Sequence, residues 1–173
     1  MHKVILYIAM SLDGFIARVN GDVDWLKGDG TDENADIKYD EFFSNIDTVI
    51  MGRVTYEQIL TFGDYPYKGT KGYVYSRSKT GSDDNVEFTS QDPSVLLSEI
   101  KNQIGKDIWL VGGSGVAKEF VNQGLVDEYH ICITPIILGA GIPLFTPEII
   151  EQKLKLVSSE SINGFLLLQY VNR

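Results

Sequence analysis

Four short, almost wholly apolar runs, at residues 4–9, 47–51, 72–76 and 107–111, alternate with stretches of helical spacing, and this alternation constrains the fold more than any other feature. Runs of that length without polar alternation suit strands covered on both faces, as in parallel sheets. Between them, residues 36–46 carry Ile37, Phe42, Phe43 and Ile46 at helical intervals, and residues 93–104 carry Val95, Leu96, Ile100 and Ile104. Pro93 suits a first helical turn, with Asp92 or Ser90 as its cap. The strand–helix order predicts an α/β layered domain with right-handed crossovers. The last part departs from it: residues 154–161 and 165–171 are strand-like and joined by Ile162-Asn163-Gly164, a strong hairpin signal. The expected sheet is therefore mixed, mostly parallel with an antiparallel pair at its C-terminal end. The polar stretch 27–34 has no periodicity and reads as a mobile loop near the first strand.

At 173 residues and 43% hydrophobic content the chain is expected to form one domain over residues 1–173. A net charge of -9 disfavours nucleic acid or an anionic membrane surface as main partner. Cys132 is the only cysteine, so no internal disulfide is possible, and with His2 and His130 the only histidines no metal site is expected. The apolar run 4–10 is too short to span a membrane and does not resemble a signal peptide, so a cytoplasmic location is expected.

In open α/β sheets ligands bind beyond the carboxyl ends of the strands. Three of those ends are equipped for phosphate. Ile108-Trp109-Leu110-Val111 runs into Gly112-Gly113-Ser114-Gly115 and then a helix-like stretch from Val116. Glycines at such a turn let a diphosphate approach the backbone, and the helix start supplies free N–H groups; a plain tight turn is the alternative. Thr48-Val49-Ile50-Met51 is followed by Gly52-Arg53-Val54-Thr55-Tyr56-Glu57, where Arg53 completes an anion site or merely pairs with Glu57 one turn along. Tyr73-Val74-Tyr75 is followed by Ser76-Arg77-Ser78-Lys79, suited to the extra phosphate of an NADP ribose or else a solvated loop. Neither a G-x-G-x-x-G turn after the first strand nor a P-loop occurs, so a nucleotide has to bind across several strand ends.

With Ser11-Leu12-Asp13-Gly14-Phe15-Ile16-Ala17 and Pro135-Ile136-Ile137-Leu138-Gly139 added to these segments, the chain over nearly its whole length resembles the dihydrofolate-reductase-like superfamily, in particular the branch of the riboflavin-biosynthesis reductase domain. The resemblance implies a three-layer α/β fold, a homodimer and NADPH-dependent hydride transfer to a pyrimidine- or pterin-like ring. It implies that Ala9, Gly14 and Ile16 lie along the nicotinamide half and that Gly52, Arg53, Thr55, Ser76, Arg77 and Ser78 hold the adenosine phosphates. Gly113, Ser114 and Gly115 then meet the diphosphate, with Val111 and Val116 also binding the cofactor, while Trp25, Pro135 and Leu138 border the substrate. Asp36 falls where folate reductases carry their carboxylate; it serves as the proton donor or only caps a helix. Two departures bear on the substrate. Thr70 stands where folate reductases place the arginine for the glutamate tail, and Tyr39-Asp40-Glu41-Phe42-Phe43 stands where riboflavin reductases carry histidine and arginine. Dihydrofolate reduction is the alternative within this class; a nucleotide-binding module without turnover is the alternative outside it.

Overall fold

The computed structural model describes residues 2–30 and 38–173. All four apolar runs are strands of one nine-stranded sheet: β1 (Val4–Ser11), β3 (Ile46–Gly52), β4 (Lys71–Tyr75) and β7 (Asp107–Gly112). A short β2 (Phe15–Ala17) follows β1, and β5 (Gly81–Ser82) and β6 (Val86–Thr89) follow β4. The helices are α1 (Tyr39–Ser44), α2 (Arg53–Thr61), α3 (Pro93–Lys101) and α4 (Ser114–Asn122). The chain then forms β8 (Glu128–Thr134), β9 (Ile142–Pro143), β10 (Leu154–Ile162) and β11 (Phe165–Asn172).

The sheet order is β10-β11-β8-β1-β7-β3-β4-β6-β5, while β2 and β9 form a separate two-stranded ribbon. The strands from β8 through β1, β7, β3 and β4 to β6 pair in parallel, and β11, β10 and β5 are antiparallel additions at the two edges. Successive side chains divide between two cores, as a period of two requires. Val4, Leu6, Ile50, Tyr73, Ile108 and Leu110 pack with Leu96, Leu97 and Ile100 of α3 and with Phe120 and Val121 of α4. Val49, Met51, Val74 and Trp109 face the other way, against Tyr56 of α2 and Phe42 and Phe43 of α1. The result is the expected three-layer α/β fold of the dihydrofolate-reductase type.

Local chemistry explains the element ends. Asp92 caps α3 by accepting from the Ser94 N–H at 2.9 Å, with Pro93 in the first turn. The hairpin turns at Asn163 (φ 49°) and Gly164 (φ 76°), the paired positive φ of a type I′ turn. Two boundaries differ from expectation. Ile46 opens β3 instead of ending α1, and α3 stops at Lys101, leaving Ile104 fully exposed as the chain turns into β7. Directly after Ile104 the chain passes close to Asp47 and His2 at Gly105, where an added Cβ would stand 2.5 Å from Asp47 Oδ2. Residues 31–34 of the expected loop, and Asp36 and Ile37 of the expected helix, lie outside the described residues. No described helix is long and apolar enough to cross a membrane.

Candidate functional site

Strand order decides where the chemistry gathers. Because β7, β3 and β4 are neighbours, the three phosphate-suited turns stand side by side. The register pairs Met51 with Gly112 and Gly52 with Tyr75, setting the two glycine turns and the Ser76-Arg77 segment at one level of the sheet. A cavity of about 520 Å³ opens there. One wall is Gly52, Arg53 and Thr55 of the β3–α2 junction; a second is Ser76, Arg77 and Ser78; a third is Val111, Gly113, Ser114, Gly115 and Val116. Ile8 and Ile16 supply apolar surface beside Ala17, Ile142 and Tyr75.

The two helix starts that meet here are unusual in the same way. Gly52 is the N-cap of α2 and Gly113 that of α4; neither helix has a side-chain cap or an acidic residue in its first turn. Their leading N–H groups therefore keep their donors and partial positive charge for a ligand. The α3 helix, whose start lies away from the cavity, has its aspartate cap instead. Gly113 adopts φ 42° and ψ 148°, and a Cβ added there would stand 3.2 Å from Thr55 Oγ1. A Cβ on Gly52 would come 3.3 Å from Val116 Cγ2, so the two helix starts abut as closely as glycine allows. Tyr75 also lines the cavity, and its ring packs edge-on against Phe120 of the α3–α4 core.

Two of the nearby cations, Arg53 and Lys79, are already engaged. Arg53 donates to Glu57 Oε2 at 2.7 Å, the i,i+4 pairing that the sequence offered as an alternative, yet its side chain also lines the cavity. Lys79 reaches Glu57 Oε1 at 3.0 Å, and these two cations, Lys79 foremost, hold the Glu57 carboxyl below its ordinary range. Ser76 acts first on its own loop: its Oγ accepts from the Ser78 and Lys79 N–H groups at 3.2 and 2.8 Å, folding the turn that presents Arg77.

Other described residues singled out in the sequence are not in the lining of this cavity. Ala9 sits opposite Cys132 in the β1–β8 pairing, and Gly14, at φ 89°, forms the β1–β2 turn. Trp25 is buried at 5% exposure, with its indole N–H unpartnered among the described residues. Pro135 is exposed, while Leu138 donates its N–H to Asp13 Oδ1 at 3.0 Å. Asp36 lies outside the described residues. No group of three or more His, Cys, Asp or Glu suited to a metal occurs among the described residues.

Asp13 has a role that the sequence did not reveal. Its carboxylate also accepts from the Gly139 N–H at 2.7 Å and the Ser11 hydroxyl at 2.6 Å, and the Ser11 hydroxyl in turn accepts from the Phe15 N–H at 3.0 Å. The Ser11 hydroxyl is the main reason the Asp13 carboxyl is held below its usual range. This clasp ties the 11–17 segment to the 135–139 segment, and β2–β9 pairing continues the seam to the cavity wall at Ile142. Two separate sequence motifs are thus one structural unit.

A second cavity, of about 480 Å³, lies over β8, β11 and β10 and is lined by Tyr7, Phe42, His130, Glu128 and Gln169. Glu128 there is shared by Lys3 at 2.7 Å and His130 at 2.9 Å. Among the described residues its lining includes no glycine, and the helix start at Lys38 is that of the six-residue α1.

The profile of the RibD C-terminal domain matches residues 2–168. The chain belongs to the RibD C-terminal domain family. The Bacillus subtilis (strain 168) protein YwjB is 36% identical over 171 residues, covering 98% of this chain and 97% of that protein. The riboflavin biosynthesis protein RibD of Corynebacterium ammoniagenes is 27% identical over 80% of this chain and 44% of its own length. Among solved structures, a protein of Shewanella sp. PV-4 assigned to riboflavin biosynthesis superposes with a TM-score of 0.88 at 28% identity, over 99% of both chains. The Thermotoga maritima deaminase/5-amino-6-(5-phosphoribosylamino)uracil reductase gives 0.73 at 22% identity, over 99% of this chain and 57% of that one, a likeness of fold alone. RibD C-terminal membership and the dihydrofolate-reductase-like sheet agree with one another, and both place this chain in a reductase superfamily.

Proposed function

We propose that the chain is a single-domain, NADPH-dependent reductase that delivers hydride to a small pyrimidine- or pterin-like ring, in the manner of the riboflavin-biosynthesis 5-amino-6-(5-phosphoribosylamino)uracil reductase. The observation that carries the reading is the convergence of two glycine-capped, otherwise uncapped helix starts on one cavity that also holds Arg53 and Arg77. Anion binding is what such an arrangement does best. Its residues fit the cofactor: Gly113, Ser114 and Gly115 offer backbone N–H groups to a diphosphate. Arg77 and Ser78 stand where a ribose phosphate is met by cation and hydroxyl, and Ile8, Ile16 and Val111 give the apolar surface a nicotinamide ring needs. NADPH supplies the hydride when bound. The protein orients both partners and excludes water; Asp36 or a bound water supplies the proton. Trp25, Pro135 and Leu138 remain the proposed border of the substrate. A homodimer in the cytoplasm belongs to the same reading. The nine-residue edge strand β10 supports it, being exposed along nearly its whole length with Leu156 and Val157 in the open.

Fluorescence titration is expected to show NADPH binding more tightly than NADH. Arg77→Ala should weaken NADPH about tenfold or more, the value of one charge-assisted contact of roughly 1.5–3 kcal/mol. Equal affinity of the wild type for the two nucleotides would contradict the reading. Binding without NADPH oxidation, across a panel of dihydropterins and aminopyrimidinones, would mark a nucleotide-binding module instead of an enzyme.

Dihydrofolate is expected to be a poor substrate beside a tailless dihydropterin. The Thr70 hydroxyl donates to the Tyr67 carbonyl at 2.8 Å in the turn before β4, so it is committed to the backbone and has no charge for a glutamate tail. Losing a two-pronged ion pair of roughly 2–4 kcal/mol raises the half-saturating concentration about thirtyfold or more. Thr70→Arg should lower that concentration for dihydrofolate and leave the tailless substrate unchanged. Efficient wild-type turnover of micromolar dihydrofolate would refute this argument.

A further inference from the structure

We propose that Glu57 is a selectivity residue of the cavity, a built-in counter-ion that competes with the ribose phosphate for Arg53 and Lys79 and so moderates the preference for NADPH; the inference rests on the nucleotide reading above. Three observations converge on it. Glu57 spends both carboxylate oxygens on these cations, at 2.7 Å from Arg53 NH1 and 3.0 Å from Lys79 Nζ. Arg53 belongs to the cavity lining, and Lys79 comes two residues after Arg77, at the same strand end. Glu57 and Lys79 are not themselves lining residues; the bridge joins α2 to the segment after β4 that carries the lining residues Arg77 and Ser78.

Charge decides the consequence. Arg53 and Lys79 would together present two positive charges to an incoming anion; with Glu57 between them the trio presents one. The Lys79 ammonium is further restrained, lying 5.4 Å from the centre of the Phe88 ring and within the field of Asp83. A ribose 2′-phosphate carries close to two negative charges and meets the carboxylate as a rival. The hydroxyl of NADH carries none and does not. The side chains of Arg53, Glu57 and Lys79 are 39%, 41% and 47% exposed, so water screens the repulsion without removing it. Repulsion between a carboxylate and a phosphate dianion through a largely aqueous dielectric is worth about three- to tenfold in affinity.

Glu57→Gln keeps the length and the helical position of the side chain and removes its charge. The experiment is titration of the wild type and Glu57→Gln with NADPH, NADH, adenosine 2′,5′-bisphosphate and ADP at two salt concentrations, with thermal melting as the check on folding. The variant is expected to bind NADPH and the bisphosphate about three- to tenfold more tightly, with a steeper salt dependence, while NADH and ADP change less than about twofold. Glu57→Asp, which keeps the charge, should stay close to wild type. Weaker NADPH binding by Glu57→Gln would mean that the carboxylate orients the cations instead of competing with the ligand, and it overturns the proposal; so does an equal change for phosphorylated and unphosphorylated riboses. Failure of both proteins to bind any of the four nucleotides overturns the nucleotide reading and this inference with it. Binding with an unaltered NADPH to NADH ratio overturns the role of Glu57 alone.

Discussion

Gly113→Val is expected to lower affinity for NADPH about a hundredfold or more while the chain still folds. Gly113 combines φ 42° with ψ 148°, a conformation that a β-branched residue adopts only with strain of roughly 1–3 kcal/mol. Its added Cβ would stand 3.2 Å from Thr55 Oγ1, and the two methyl groups of valine reach further into the space between α2 and α4. The backbone can relieve this only by rotating the turn, and rotation turns the leading N–H groups of α4 away from the cavity. Losing two such donors to a diphosphate, at roughly 1.5–3 kcal/mol each, accounts for the hundredfold. Gly113→Ala should fall between wild type and valine. Thermal melting separates loss of binding from loss of fold. A well-folded Gly113→Val protein with wild-type affinity would show that the diphosphate does not lie against this turn.

The second large effect is expected at Gly141, on stability first and on binding through it. Any Cβ at Gly141 would collide with the Ala17 carbonyl oxygen and stand 3.0 Å from Phe15 Cβ. The obstacle on one side is backbone, which cannot swing aside as a side-chain tip can. Gly141→Val must therefore part the β2–β9 ribbon, whose pairs are Phe15 with Pro143 and Ala17 with Ile142. Overpacking of this kind costs about 1–3 kcal/mol, equivalent to a fall of roughly 3–10 °C in Tm for a chain of this size. Because Ile16, Ala17 and Ile142 line the cavity, NADPH affinity should fall as well, by severalfold. An unchanged Tm would show that the ribbon yields without loss.

These two glycines mark the boundary between local and tertiary information. Gly113 was legible in the sequence, because an apolar run, a glycine turn and a helix-like stretch in succession are a local pattern with a local cause. Gly141 was not: its requirement comes from a carbonyl more than a hundred residues away. The same division runs through the site. The glycine turns at Gly52 and Gly113, the cations Arg53 and Arg77, the Asp92 cap and the Asn163-Gly164 turn each follow from residue type and near neighbours. By contrast β8 alternates Glu128 and His130 with Tyr129 and Ile131 as a strand does, but its place between β1 and β11 is fixed only in the assembled sheet.

The sequence by itself thus determined which segments are strands covered on both faces, where two helices begin without a side-chain cap, and that the chain closes on a hairpin. Backbone dihedral preference and hydrophobic period act over a few residues, and they suffice for that. Only the tertiary structure decided that β7, β3 and β4 are adjacent, so that three separate turns become one cavity, that Asp13 clasps the 135–139 segment, and that Glu57 joins Arg53 to Lys79. Strand order, register and ion pairing across loops are set by contacts between residues far apart in the chain, whose free energies exist only after the whole sheet has assembled.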